Sequence, residues 1–304
     1  MSPEYTGFAV DTALRLVLYK VTFFNRGGAM MLSLDRLIEQ ALHEDIHTGD
    51  ITTQAVVPGK RQSSARLIAK ESLVLAGIHV AEMVFRKLDP AVNFTANNLE
   101  GSTAESGDVL ATIVGNASDL LMAERVALNL LQRMCGIATL TSRYVAVVSG
   151  TKARIVDTRK TTPGLREIEK YAVRVGGGIN HRTGLYDGVL IKENHIAAAG
   201  SIAEAISRAR AYIPHTLKIE IETESRSQVL EALDAGADII MLDNMDCDSM
   251  RECVQLIAGR ALVEASGGVN LDTVRAIAET GVDIVSIGAL THSPRAMDIS
   301  MLLD

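Results

Sequence analysis

Four short stretches hold residues that could do chemistry. "DTRKTTPGL" (157–165) follows the apolar pair Ile155-Val156 and sets Arg159 beside Lys160. "VGGGINHRTG" (175–184) is too rich in glycine for a helix or a strand and presents His181 and Arg182 on a loop. Lys192 ends another apolar run, and in "LKIEIET" (217–223) Lys218, Glu220 and Glu222 share one face of a strand while Ile219 and Ile221 share the other. Adjacent cations at the ends of buried strands cost free energy unless something anionic meets them. Guanidinium forks match carboxylates in geometry, so the anion expected here is a small molecule bearing several carboxylates. Carboxylates facing inward need cations in turn, and Lys160 and Lys192 are the nearest candidates for Glu220; a purely structural ion-pair network is the alternative. Glu220 and Asp243 also suit hydroxyl groups or Mg²⁺. "EASGGV" and "SIGAL" bring Ser266, Gly267, Gly268 and Gly288 to strand ends, where backbone N–H groups can approach a phosphate with no Cβ in the way.

The elements that position these residues alternate after residue 150. Strands are expected over 154–158, 187–192, 217–222, 238–243, 261–266 and 282–288. Between them lie helices with capping-box starts at Ser201, Ser225 and Ser249 and glycine stops at Gly236, Gly259 and Gly281. Nearly continuous apolar strands alternating with amphipathic helices predict a parallel sheet covered by helices. Six such units without a Rossmann fingerprint favour a TIM-like α/β barrel of about six parallel strands, with its chemistry at the strand C-termini. Before it, "LSLDRLIEQALHED" reads as a helix, followed by short alternating strands in "SSARLIAKESLVLAG" and "GDVLATIVG", an N-terminal α+β sandwich. The expected division is an N-terminal extension over 1–30, read as a flexible leader, a sandwich over 31–128 and a barrel over 129–289. The tail 290–304 is expected to pack on the sandwich. In "SDLLMAERVALNLLQRM", Leu121, Val126, Leu130 and Met134 fall near one helix face.

Charge sharpens the picture. The 304 residues carry a formal net charge of −7, yet residues 152–192 hold nine Lys/Arg against four acids. An all-over basic surface for nucleic acid is excluded, and the anion site must be local. Arg166, Lys170 and Arg174, four apart, read as a solvated, salt-bridged helix face. Three cysteines form no CxxC pair and fit a reducing, cytoplasmic setting. "ALRLVLYKVTFF" is too short and too charged to span a bilayer, so no membrane partner is expected. His43 and His47 lie four apart beside acids, but without a third ligand they read as a helix end.

The chain resembles the quinolinate phosphoribosyltransferase family from about Leu34 to Leu303. The motifs that carry the resemblance are "ERVALNLLQRMCGIAT", "DTRKTTPGLR", "KYAVRVGGGINHRTGLYDGVLIKENHI", "ADIIMLDN", "EASGGV" and "VSIGALTHS". Thr162, where the family usually has Leu, and Cys135, where it has Ser, are small departures. The resemblance implies transfer of phosphoribosyl from phosphoribosyl pyrophosphate to quinolinate with decarboxylation, giving nicotinate mononucleotide, pyrophosphate and CO₂ in de novo NAD synthesis. It implies Mg²⁺ as cofactor and a homodimer with shared active sites, a hexamer being the larger alternative. Arg125 from the partner, Arg159, His181 and Arg182 would clamp quinolinate, with Lys160 beside them. Lys192 would meet the pyrophosphoryl end or the ribose. Glu220 and Asp243 would hold ribose hydroxyls and, through the substrate and water, the metal. Ser266, Gly267, Gly268, Gly288 and His292 would take the 5′-phosphate region. The alternatives are a nicotinate phosphoribosyltransferase, another paralogue of the family, and a metabolite-binding barrel without activity.

Overall fold

The computed structural model describes residues 28–304 apart from positions 58 and 60, with side chains from Ser33 onward. The expected leader falls outside the described residues except for positions 28–30, which open helix α1 (Gly28–Ile46).

The first layer is antiparallel. Strands β1 (Gln62–Ala69), β3 (Asn93–Ala96), β5 (Val109–Asn116) and β12 (Ile299–Leu303) form a sheet in the order β12-β1-β5-β3. Two short strands, β2 (Leu73–Val74) and β4 (Thr103–Ala104), pair apart from it. The period of two is visible in β1, where Ala65, Leu67 and Ala69 are fully buried and the residues between them are not. The tail pairs with this sheet, Leu67 standing opposite Met301 and Ala65 opposite Leu303. Strands β1 and β12, far apart along the chain, therefore share one core.

Helices α2 (Ile51–Val56) and α3 (Ile78–Leu88) precede α4 (Ala117–Val147), a single 31-residue helix that crosses the domain boundary expected near 128. Asn116 caps α4, its side chain accepting from Ser118 N at 3.0 Å. Its apolar residues do not form one stripe. Leu120, Val126, Leu128, Leu131, Met134 and Ile137 are all buried, because α4 packs on α3 to one side and on α5 (Arg166–Val175) to the other.

The second layer is a six-stranded parallel sheet in the order β6-β11-β10-β9-β8-β7. Its strands are β6 (Arg154–Val156), β7 (Val189–Ile191), β8 (Ile219–Thr223), β9 (Ile239–Asp243), β10 (Leu262–Ser266) and β11 (Ile284–Ser286). Each lies within a run expected to be a strand or, for β8, one residue beyond it. The covering helices are α6 (Glu193–Ala199), α7 (Ile202–Tyr212), α8 (Arg226–Asp234), α9 (Cys247–Ile257), α10 (Val274–Ala278) and α11 (Ala289–His292). Ser201 and Ser225 cap α7 and α8. Ser249 does not cap α9: Asp246 does, accepting from Ser249 N at 2.8 Å, so that helix starts a turn earlier than its capping-box pattern suggests. β6 and β7 do not pair with each other. Ile179, from the three-glycine segment, bonds to the free edge of β6 through Ile155 O and Asp157 N, partly filling the seam of the barrel.

Candidate active site

The strand ends open into one cleft of about 790 Å³. Following the sheet, the rim is built from Arg159 and Lys160 after β6, Gly288 and His292 after β11, and Ser266, Gly267 and Gly268 after β10. Asp243 and Asn244 end β9, Glu222 stands on β8, and Lys192 follows β7. His181 and Arg182, on the loop filling the seam between β6 and β7, complete the ring. Two residues named from sequence lie elsewhere. Arg125 is on α4 with its side chain 58% exposed and is not part of the cleft. Glu220 sits beneath the cleft surface, buried in the barrel floor.

The floor is a compact acidic group. His181 Nε2 donates to Glu220 Oε2 at 2.8 Å, with Glu264 Oε1 3.8 Å away. Glu220 thus pairs with His181 rather than with the expected lysines: Lys192 makes its ion pair with Glu222, and Lys160 runs alongside Gly288. The reason is reach, since the loop in the seam brings His181 over the floor while both lysines stay at the rim. Arg182 N donates to His181 Nδ1 at 2.8 Å, which leaves the ring proton on Nε2, facing Glu220. Burial opposes the imidazolium, but the hydrogen bond and charge of Glu220, with Glu264 behind, outweigh it and raise the His181 pKa. These three groups are the one cluster of metal-ligand types among the described residues, their atoms lying within 4.8 Å. A metal on Nε2 would have to displace the proton that the Nδ1 contact places there, so the trio is a hydrogen-bonded floor.

Glu264 did not stand out from the sequence as a site residue. An acid inside the apolar "LVEAS" was the available signal, the same one that marked Glu220. Burial and the neighbouring Glu220 charge push its pKa up. Below its folded pKa the carboxyl keeps its proton, while the unfolded chain loses it at the ordinary value. Stability contributed here therefore falls as pH rises through that window. Glu264→Gln is expected to show a melting-temperature advantage over wild type that grows by a few degrees from about pH 5 to about pH 8. An equal difference at both ends would remove the assignment.

The cationic side is under electrostatic load. Burial and the Arg159 charge both lower the Arg182 pKa, so the two guanidiniums are neighbours that repel. Arg182 is aimed by a bond from Nη1 to Gly188 O at 3.0 Å. Arg159 Nε is buried with no partner, and Glu220 Oε1 and Glu264 Oε1 are buried and unpartnered below. Such orphans are expensive unless a ligand completes them. The site therefore carries unmet donors on the basic side and unmet acceptors at the floor. Glycine makes the opposite wall: Gly267 and Gly268 have φ of +94° and +61°, and a Cβ on Gly267 would collide with Asn244.

Helix α5 departs from its expected role. Arg166, Lys170 and Arg174 do share a face, but that face turns onto the site loops. Lys170 is buried on Asp157 at 2.5 Å, Arg166 bonds Thr161 Oγ1 at 2.9 Å and Thr183 O at 3.2 Å, and Arg174 bonds Asn180. Cys135, one of the two departures from the family pattern, is buried on the Ala76 backbone with its thiol pushed up to about 12, which makes it unreactive. His43 and His47 stack at 5.4 Å, and no third ligand type joins them among the described residues.

Known proteins share this architecture. Residues 50–135 match the model of the quinolinate phosphoribosyl transferase N-terminal domain and residues 137–302 that of its C-terminal domain. The chain is 46% identical over 270 residues to the probable nicotinate-nucleotide pyrophosphorylase [carboxylating] of Bacillus subtilis, covering 89% of this chain and 93% of that protein. It is 42% identical over 290 residues to a quinolinate phosphoribosyltransferase [decarboxylating] of Nicotiana tabacum, covering 89% and 82%. The crystal structure of NadC from Streptococcus pyogenes superposes with a TM-score of 0.87 at 44% identity, covering 90% and 97%. Human nicotinic acid phosphoribosyltransferase, at 14% identity and a TM-score of 0.60, shares the fold alone. With both domain models matched in order, the chain belongs to the quinolinate phosphoribosyltransferase family.

Proposed function

We propose that the cleft joins quinolinate to the phosphoribosyl group of phosphoribosyl pyrophosphate and releases pyrophosphate and CO₂, leaving nicotinate mononucleotide. The observation that carries this reading is the pair Arg159 and Arg182, held close enough to repel, one with a buried unpartnered N–H, facing a glycine cradle across the same cleft. A pyridine diacid relieves the first feature and a sugar phosphate fills the second.

The residues act mainly by position. Arg159 and Arg182 bind the carboxylates, and His181, its Nε2–H held on Glu220, fixes the loop between them. Ser266, Gly267, Gly268, Gly288 and His292 take the 5′-phosphate. As the pyridine nitrogen attacks C1′ and pyrophosphate leaves, positive charge grows on the sugar. The carboxylates of Glu222 and Asp243, lining the cleft, favour that charge. Lys192, beside Glu222, favours the departing anion. The quaternised ring nitrogen then stabilises the electron pair left at C2 as CO₂ departs, and a proton from water completes the C2–H bond of the product. Asp243 and Glu222 offer oxygen donors of the kind a hard divalent cation takes, so they would hold Mg²⁺, which would supply positive charge to offset that of the leaving group.

Arg125 supports a dimer with shared sites, since it lies exposed and outside its own cleft. Leu185 and Tyr186, close to Arg182 in sequence, are 74% and 79% exposed, and Ile51 on the sandwich is 82% exposed, apolar surface suited to a partner. Mixing Arg125→Ala with Arg182→Ala protein is expected to restore partial activity that neither has alone, and absence of complementation would remove the shared-site assignment. No described helix is long and apolar enough to cross a membrane, and the cytoplasm is the proposed compartment.

The direct test mixes the protein with quinolinate, phosphoribosyl pyrophosphate and Mg²⁺ and measures CO₂ and nicotinate mononucleotide. Turnover of nicotinate in place of quinolinate, or binding of quinolinate without CO₂ release, would overturn the reading.

A further inference from the structure

Two adjacent residues on α5, Glu169 and Lys170, are both charged and both buried. Neighbours on a helix point about 100° apart, so the two carboxylate and ammonium groups leave the helix in different directions. We propose that α5 is a positioning element for the cleft, with Lys170–Asp157 setting the diacid half and Glu169–Arg133 setting the phosphoribosyl half independently. This rests on the reading of the cleft given above.

Lys170 Nζ meets Asp157 Oδ1 at 2.5 Å and donates to His181 O at 3.0 Å. Asp157 also accepts His181 N at 2.9 Å and Asn180 Nδ2 at 2.6 Å. The pair therefore grips His181 by both its N–H and its C=O, immediately before Arg182. Asp157 itself stands two residues before Arg159, so one buried carboxylate sets the spacing between the two guanidiniums. Stability does not account for it: burial raises the Asp157 pKa and lowers that of Lys170, the signature of a pair whose desolvation outweighs its attraction.

Glu169 faces the other way. Arg133 Nε donates to Glu169 Oε1 at 2.7 Å, and its Nη2 reaches Thr162 Oγ1 at 2.7 Å and Thr291 O at 3.0 Å. Thr162 N donates to Glu169 Oε2 at 3.2 Å, and Thr291 Oγ1 donates to Lys160 O at 2.8 Å. This cluster ties together the backbone that carries Lys160 and the turn that carries Gly288 and His292. The hydroxyl of Thr162, a departure from the family pattern, supplies one of its bonds.

The test is a pair of variants assayed for both substrates beside wild type. Asp157→Asn/Lys170→Met removes the first pair without leaving a buried unpaired charge, and Arg133→Met with Glu169→Gln removes the second. The first is expected to raise the quinolinate KM about 10- to 100-fold with the phosphoribosyl pyrophosphate KM within about threefold, and the second to do the reverse. Parallel rises in both KM values, or no change, in proteins with the wild-type melting temperature would overturn the proposal. Should a double variant not fold, the charge-conserving single changes Asp157→Glu and Glu169→Asp, which keep each pair's charges but shift its carboxylate by one methylene, carry the same split. Failure of wild type to turn over quinolinate would sink the functional reading instead, an outcome distinct from an active enzyme whose KM values do not separate.

Discussion

Arg182→Ala is expected to raise the quinolinate KM by about 30- to 1,000-fold, a loss of about 2–4 kcal/mol, and to lower kcat/KM at least as far. The size follows from the site rather than from the charge alone. Arg182 is partly buried, aimed by Gly188 O, and near enough to Arg159 for the two charges to repel, a repulsion that an anion bridging both relieves. Alanine removes one fork and leaves a substrate carboxylate desolvated without a partner. The phosphoribosyl pyrophosphate KM should move by no more than about threefold, because Ser266, Gly267 and Gly268 lie on β10 and the loop after it, away from the seam. Steady-state kinetics with each substrate varied in turn checks both numbers. A quinolinate KM equal to wild type would end the assignment of Arg182 to the diacid.

Gly136→Ala is expected to be the most damaging single change for folding. Gly136 lies in the buried middle of α4, and a Cβ there would be driven into the Arg295 carbonyl oxygen. The neighbouring backbone cannot yield easily. Met297 N bonds Gln132 O at 3.1 Å and Gln132 Nε2 bonds Ile299 O at 2.8 Å, so the tail just beyond the contact is laced to α4 one turn before Gly136. Overpacking of this kind costs about 1–3 kcal/mol or more, although Gly→Ala in an open helix would stabilise by about 1 kcal/mol. A fall in melting temperature of about 5 °C or more is expected, or loss of soluble protein. A stabilised Gly136→Ala would show that the tail does not dock on α4 as described.

Much of the architecture was legible because it depends on local patterns. The six barrel strands are short apolar runs with polar ends, and period and punctuation suffice to find them. The basic loops were legible because cations and glycines at strand ends have few other uses. Glu264 was missed because one acid within a strand looks like any other until its neighbours are known. Ser249 was mistaken for a cap because Asp246, three residues earlier, is an equally good acceptor, and only packing selects between them.

Lys170 marks the boundary most clearly. Its spacing from Arg166 and Arg174 establishes a common helix face, and nothing in the chain says whether that face meets water or the loop from 157 to 183. Helical periodicity, strand alternation, glycine-rich turns and the local excess of positive charge are properties of neighbouring residues, so the sequence by itself determined the elements and the kind of ligand. Which cation meets which carboxylate joins residues such as His181 and Glu220, or Arg133 and Glu169, that are far apart along the chain. Those pairings were decided only when the sheet order, the docking of α4 and the loop in the barrel seam brought them within hydrogen-bonding distance, because such bonds act over about 3 Å and sequence separation carries no such length.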